Sequence, residues 1–388
     1  MTTVTRLPNL TQYERIGIDQ TFNLADGHAH QLPDPDQQDI VRRLPTIYAD
    51  GERTRQRDLE DAFRSSFYRL AGQARAIRHP YTFFCQSASQ SIDLVAAFLA
   101  DAQMTVALLQ PCFDNLAAIL TRRRVPLHPL AEHQLTGRRA TETVRSIPAD
   151  ALFVTLPNNP TGFTMTAVEF ERLARACVES GKTVIVDWTF RFFDERTIWD
   201  QYEMLERVGA SYICIEDTGK TWPTLDLKCS ILASSADLHH RLVEPHNDLL
   251  LNVSPFVLRL LIEYIDDAAR RGLDRTLWRQ IRANRKALRQ ALTGSILAPD
   301  GADRTISVEW VPVVSDTVCG LDVVTVLGAA GVGILPGDHF YWHDPDLGAG
   351  YVRFALARDT VMFASACRRL QDAIATVPAL RRLPLRSG

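Results

Sequence analysis

The sequence predicts an α/β protein: a large, mostly parallel sheet covered by helices on both faces, followed by a smaller α/β part. Three observations lead there. From about residue 80, short apolar runs alternate with segments of helical period. Past about residue 250 that alternation gives way to long helical stretches and then to short strands. With 388 residues and 46% hydrophobic content, the chain holds enough apolar material for a core split over two domains.

In chain order, residues 1–35 are polar, with turn formers at both ends (Pro8, Asn9, Pro33, Pro35), and read as an arm with one short helix near residues 10–18. VALLQ (106–110) reads as a strand, and FDNLAAILTRR after it as a helix. ALFVTLP (151–157) is a strand, and TAVEFERLARACVES has helical period. Residues 183–188, 211–216 and 229–234 are apolar runs too short for helices and rich in β-branched residues. Buried strands separated by amphipathic helices specify a sheet covered on both faces. In such sheets ligands bind beyond the carboxyl ends of the strands. Two helical stretches follow, 255–271 and 273–291, then ISVEWVPV, a helix around 321–330, VGILPG, and YVRFALA before a final helix. The expected division is an arm over 1–40, a large domain over 41–275 and a small domain over 276–388.

Charge and cysteine usage narrow the function. The formal net charge is -3 with 23% charged residues, which argues against a dedicated nucleic-acid or membrane-surface role. The basic run at 122–124 lacks aromatics and reads as a solvated helix end. Cys85, Cys112, Cys177, Cys214, Cys229, Cys319 and Cys367 are odd in number and irregularly spaced, with no C-x-x-C. That disfavours a disulfide framework or zinc ribbon and points to a reducing cytoplasm. The first residues lack the apolar core of a signal peptide, and no apolar run approaches the roughly 18 residues of a membrane helix.

Four features sit just after strand ends. NNPTG (158–162) makes a turn in its own right, since Asn and Pro initiate one and Gly permits positive φ. Asp187 ends a buried run, where a carboxylate is costly unless paired; a protonated ring nitrogen, a helix N-terminus or a metal would each serve. Lys220, in EDTGKTWPTLDLKCS, is a solvated loop lysine or, partly desolvated, a nucleophile for an aldehyde. Lys228 is a second loop cation that can hold a phosphate. In CQSASQSIDLVAAFL, Ser87, Ala88 and Ser89 precede a helix, as an ordinary N-cap or as a phosphate seat.

In order and spacing these features resemble the fold-type I pyridoxal 5'-phosphate (PLP) enzymes, the aspartate-aminotransferase-like superfamily, over nearly the whole chain. The resemblance implies that Lys220 forms the Schiff base, Asp187 pairs with the pyridine nitrogen and Asn159 hydrogen-bonds the ring's 3-oxygen. Phe113 would stack on the ring. Ser87, Ala88 and Ser89 would bind the phosphate, with Lys228 where these enzymes usually carry arginine. Arg353, in YVRFALA, would grip the substrate carboxylate.

Two departures stand out. Phe190 takes the place of the tyrosine usual three residues after the aspartate, leaving Thr189 as an aid to the phosphate. Asp217 replaces the usual phosphate-binding serine. An anion there would repel a phosphate, so Asp217 is expected to face a cationic substrate side chain instead. The arm adds LTQYE (10–14), where Thr11 and Glu14 have capping-box spacing, and NLADGHAH (23–30). His28 and His30 have the spacing of a metal pair, but no nearby Cys or further His completes a site. A histidine beside such a cofactor serves better as a general acid or base.

LTQYE, NLADGHA, QPCFDN, LPNNPTG, IEDTGKTWPTLDLK, NVSP and VRFAL resemble a narrower family, the PLP-dependent, O2-using L-arginine oxidase/hydroxylases of bacterial natural-product biosynthesis. That resemblance implies L-arginine and O2 as substrates, with no flavin or metal. Glu14 and Asp217, helped by Thr11, would hold the guanidinium, Lys220 would remove the α-proton, and His28 would steer water to Cγ. The products would be 4-hydroxy-2-ketoarginine or 2-ketoarginine, with ammonia and hydrogen peroxide. A cytoplasmic homodimer is expected. The competing readings are a conventional aminotransferase of a basic or aromatic amino acid and a non-catalytic PLP-binding regulator.

Overall fold

The computed structural model describes residues 6–381; the first residues of the arm and the end of the chain, 1–5 and 382–388, lie outside the described residues. The larger sheet contains β1 (Thr82–Cys85), β2 (Val106–Gln110), β3 (Leu127–Ala131), β4 (Ala151–Thr155), β5 (Thr183–Asp187), β6 (Tyr212–Asp217) and β7 (Ser230–Ser234). Their spatial order is β1-β7-β6-β5-β4-β2-β3, and β7 runs antiparallel to both its neighbours while the other pairs are parallel. Every residue of β2, β4, β5, β6 and β7 is buried, as a sheet covered on both faces requires. The order reverses between β2 and β4, so a crevice opens beyond the carboxyl ends of those two strands.

A smaller antiparallel sheet comprises β8 (Val308–Pro312), β9 (Leu335–Pro336) and β10 (Tyr351–Ala355), in the order β9-β10-β8. Among the helices, α1 (Leu10–Ile18) belongs to the arm and α2 (Ala88–Asp101) follows β1. Next come α3 (Pro255–Arg271) and α4 (Arg279–Ala291), between the two sheets in sequence. A π-helical turn, Asp274–Trp278, precedes α4. The expected runs at 106–110, 10–18 and 255–271 coincide with the observed elements, and the other strands shift by a residue or two at their ends.

Some elements carry little sequence signal. The half-buried edge strand β3, LHPLA, has no continuous apolar run. The helices Pro35–Arg42, Leu44–Arg53 and Gln56–Leu70 precede the β/α alternation, and the first of them runs through residue 40. The capping box expected at Thr11 is absent: α1 starts one residue earlier, and Asn9 caps it by accepting from the Gln12 N–H at 3.0 Å.

The arm bonds to segments next to both sheets. Leu10 N–H donates to Asp114 Oδ2 (2.7 Å), just past β2. Phe22–Asn23 pairs in parallel with Val332–Gly333, and His30 N–H reaches the Ala357 carbonyl beyond β10 at 3.0 Å. Among the described residues no helix is long and apolar enough to cross a membrane.

Candidate active site

A cavity of about 100 Å³ lies beyond the carboxyl ends of β1, β2, β4, β5 and β6. It gathers Glu14, His28, Ser87, Ala88, Ser89, Phe113, Asn159, Asp187, Thr189, Asp217, Lys220, Lys228 and Arg353, residues from widely separated parts of the chain. Thr11 is not among them; it is exposed on α1, whose buried face carries Leu10, Tyr13 and Gly17.

Asp187 ends β5 with its side chain almost fully buried. Burial pushes its carboxyl up to about 6, although Thr189 donates to Oδ1 from both its N–H (2.9 Å) and its hydroxyl (2.5 Å). Thr189 therefore does not reach toward the phosphate seat as expected. A hydroxyl two residues along the chain folds back onto the nearest buried carboxylate, which needs donors.

Ser87 caps α2 in an extended conformation and accepts from Gln90 N–H at 3.3 Å. Ser89 Oγ accepts from Asn115 Nδ2 at 3.1 Å. Asp217, expected to turn away from this helix terminus, instead accepts from Ala88 N–H through Oδ2 (2.9 Å) and from Gly219 N–H through Oδ1 (2.6 Å). The positive end of α2 draws the carboxylate in. Ser87, Ser89 and Lys228 are the groups that this helix terminus still offers to a phosphate. Lys228 Nζ also lies 3.2 Å from His28 Nε2 and 3.6 Å from Asp226 Oδ1.

Arg353, on β10, is fully buried. Its Nη2 donates to the Ala25 carbonyl and lies 3.6 Å from Glu14 Oε1, while Nε and Nη1 are buried without a partner. Glu14 thus faces Arg353 across the cavity floor without closing a hydrogen bond. Gly27 packs between the two key cations: a Cβ there would lie 3.6 Å from Arg353 Nη1 and 3.9 Å from Lys220 Nζ.

Three contributors escaped the sequence reading. Asp26 accepts from His28 Nδ1 (2.6 Å) and from His30 Nε2, so the two histidines share a carboxylate. Its signal was present in D-x-H-x-H. Arg358, fully buried, donates to the carbonyls of Asn23 (2.6 Å), His28 (2.9 Å) and Asp26, and clamps the arm. Asn115 holds Ser89. Nothing local distinguishes these last two in the sequence.

The donor set fits PLP. The raised Asp187 carboxyl wants a cationic partner, Asn159 Oδ1 is buried and unpartnered, and Arg353, which shares Gly27 as a neighbour with Lys220, carries two unsatisfied N–H-bearing nitrogens. Two hydroxyls at the start of α2 and the Lys228 cation suit a phosphate.

Comparison with known proteins agrees. The aminotransferase class I and II family model matches residues 22–209. A structure of MppP soaked with the product 2-ketoarginine is 35% identical, with 91% of this chain and 99% of that one covered and a TM-score of 0.84. Aspartate aminotransferase from Thermus thermophilus with maleate is 15% identical, with 95% of this chain and 97% of that one covered and a TM-score of 0.75. YbdL from Escherichia coli, with a methionine aminotransferase function, is 17% identical, with 95% and 98% covered and a TM-score of 0.74. These last two show the shared fold. No curated protein sequence matches the chain. On its identity to MppP along nearly the full length of both chains, and on a cavity built for the cofactor, this chain belongs to the fold-type I PLP-dependent enzymes of the aminotransferase family.

Proposed function

We propose that the protein is a PLP- and O2-dependent oxidase and 4-hydroxylase of L-arginine. The observation that carries this reading is one cavity lined by a buried arginine with unpartnered N–H groups, Arg353, and by two carboxylates, Glu14 and Asp217. An α-amino acid with a cationic side chain matches that charge pattern. The 35% identity to a protein whose structure was soaked with 2-ketoarginine supports arginine within that class.

Bound PLP supplies an aldehyde for the substrate amine and an electron-withdrawing ring. The chain's residues do the rest. Arg353 takes the substrate carboxylate, with the unpartnered Nη1 as its free donor. Asp217 uses one N–H per oxygen for its own positioning, which leaves lone pairs free for a guanidinium. Glu14 takes the other side. Lys220 removes the α-proton as a base held near Gly27 and Arg353. Phe190 supplies an apolar wall where a phenol would hydrogen-bond, and His28 takes a proton from the water that adds at Cγ.

Oxidation alone balances as arginine, O2 and water giving 2-ketoarginine, ammonia and hydrogen peroxide. The hydroxylated product needs a second O2 and a second water and yields a second peroxide. The test is O2 uptake by purified protein with L-arginine and no keto-acid acceptor, with product mass read in ¹⁸O-labelled water. Uptake with water-derived label at Cγ is expected, and Lys220→Ala abolishes it. Turnover that requires a 2-keto-acid acceptor and consumes no O2 would make the protein an aminotransferase instead.

A further inference from the structure

The Asp26, His28 and His30 cluster carries a consequence for the chemistry of His28. Asp26 is buried, at 3% exposure. Burial by itself would raise its carboxyl, but hydrogen bonds from His28 and His30 outweigh that and hold it well below the usual carboxylate range. It is therefore an anion, and an anion only accepts. Oδ1 takes two donors from one residue, the His28 backbone N–H at 2.9 Å and Nδ1 at 2.6 Å; Oδ2 takes His30 Nε2. On the far side of the His28 ring, Nε2 lies 3.2 Å from Lys228 Nζ, which is a donor, and 3.6 Å from Asp226 Oδ1, beyond hydrogen-bond reach. Both faces of the imidazole thus call for the same proton arrangement. Arg358 fixes the backbone beneath, through the carbonyls of Asp26 and His28.

We propose that Asp26 is a positioning residue that locks His28 as its Nδ1–H tautomer, so that the unprotonated Nε2 accepts from Lys228 and becomes the acceptor of a water proton once the Lys228 ammonium turns from it to a phosphate. This rests on the reading of His28 as the water-handling group, but the tautomer can be read without any turnover. A ring free to exchange tautomers would present a useless Nε2–H for part of the time. Asp26 is not among the residues that line the cavity and acts through His28.

The test is long-range ¹H–¹⁵N NMR of histidine-labelled holoenzyme, with His28→Gln and His30→Gln assigning the two rings. In the parent protein His28 is expected to be protonated at Nδ1 and bare at Nε2, and His30 protonated at Nε2. Asp26→Ala releases the lock, and His28 shows both tautomers. Asp26→Asn separates acceptor from charge: the His28 N–H keeps the amide oxygen in the Oδ1 position, which leaves the NH2 facing His30. His28 then keeps Nδ1–H while His30 switches to a bare Nε2.

With L-arginine, the ratio of hydroxylated to unhydroxylated keto acid falls about tenfold in the alanine variant and recovers in the asparagine variant, while deamination continues. An Nε2–H His28 in the parent, or an asparagine variant that behaves like the alanine one, overturns the proposal. If the alanine variant fails to fold, the opposite responses of His28 and His30 in the asparagine variant still decide it. If the protein does not oxidise arginine, the functional reading fails and the tautomer result stands by itself.

Discussion

Asp187 shows how a site residue can weaken the protein that carries it. Its carboxyl is lifted from 3.8 to about 6 by burial. The folded state thus binds a proton more tightly than the unfolded one does. That stabilisation is complete at acid pH and is lost as pH rises from about 4 through about 6. Over that window, at about 1.4 kcal/mol per pH unit, the loss is on the order of 3 kcal/mol. A cationic pyridine nitrogen would reverse the penalty. With cofactor removed, Asp187→Asn should therefore be more stable than the parent at pH 7 in chemical denaturation, with the difference vanishing near pH 4. The same variant should bind PLP more weakly in absorbance titrations. Equal stability at pH 7 would mean that the buried carboxylate is solvated or paired in some other way.

Among the elements, α2 shows how one helix terminus is asked to serve two anions. Ser87 provides an ordinary N-cap, and the Asp217 carboxylate sits on the Ala88 N–H. A phosphate at the same terminus competes with Asp217 for the helix dipole. Removing the carboxylate should leave the phosphate seat at least as good and the guanidinium site poorer. For Asp217→Ala the PLP dissociation constant is expected to be unchanged or lower. The KM for arginine should rise about tenfold to a hundredfold, the worth of one charge-assisted hydrogen bond. Weaker cofactor binding with unchanged KM would assign Asp217 to the cofactor rather than to the substrate. The sequence marked this residue as unusual, since a carboxylate replaces a serine. It could not reveal the Ala88 contact, because β6 and the start of α2 are 129 positions apart.

Across the whole molecule, what was legible in the sequence is what is local. Buried strands announce themselves as apolar runs, and Lys220, Asp187 and Asn159 follow such runs directly. The edge strand β3 did not, because a half-buried LHPLA has no run to read. The arm's docking was illegible for a different reason: it depends on partners 104 to 335 residues away. Arg358 is the clearest case, a buried cation bonded to the carbonyls of Asn23, Asp26 and His28. Its neighbour Arg353 also reaches the arm, at the Ala25 carbonyl. The arm meets the larger sheet's end of the molecule through Asp114 and Leu10. One buried guanidinium thus fixes the segment that carries His28, while the groups that fit the cofactor (Lys220, Asp187, Ser87) stand on separate elements of the larger sheet. Arg358→Met should uncouple the two. Hydrogen exchange at residues 22–30 is expected to rise about a hundredfold, since charge-assisted bonds of this kind contribute about 1.5–3 kcal/mol each. Cofactor absorbance should persist, and, on the proposed role of His28 in placing water, hydroxylated product should fall more than deaminated product. Loss of cofactor absorbance with an arm that stays protected would show that Arg358 supports the larger sheet's site rather than the arm.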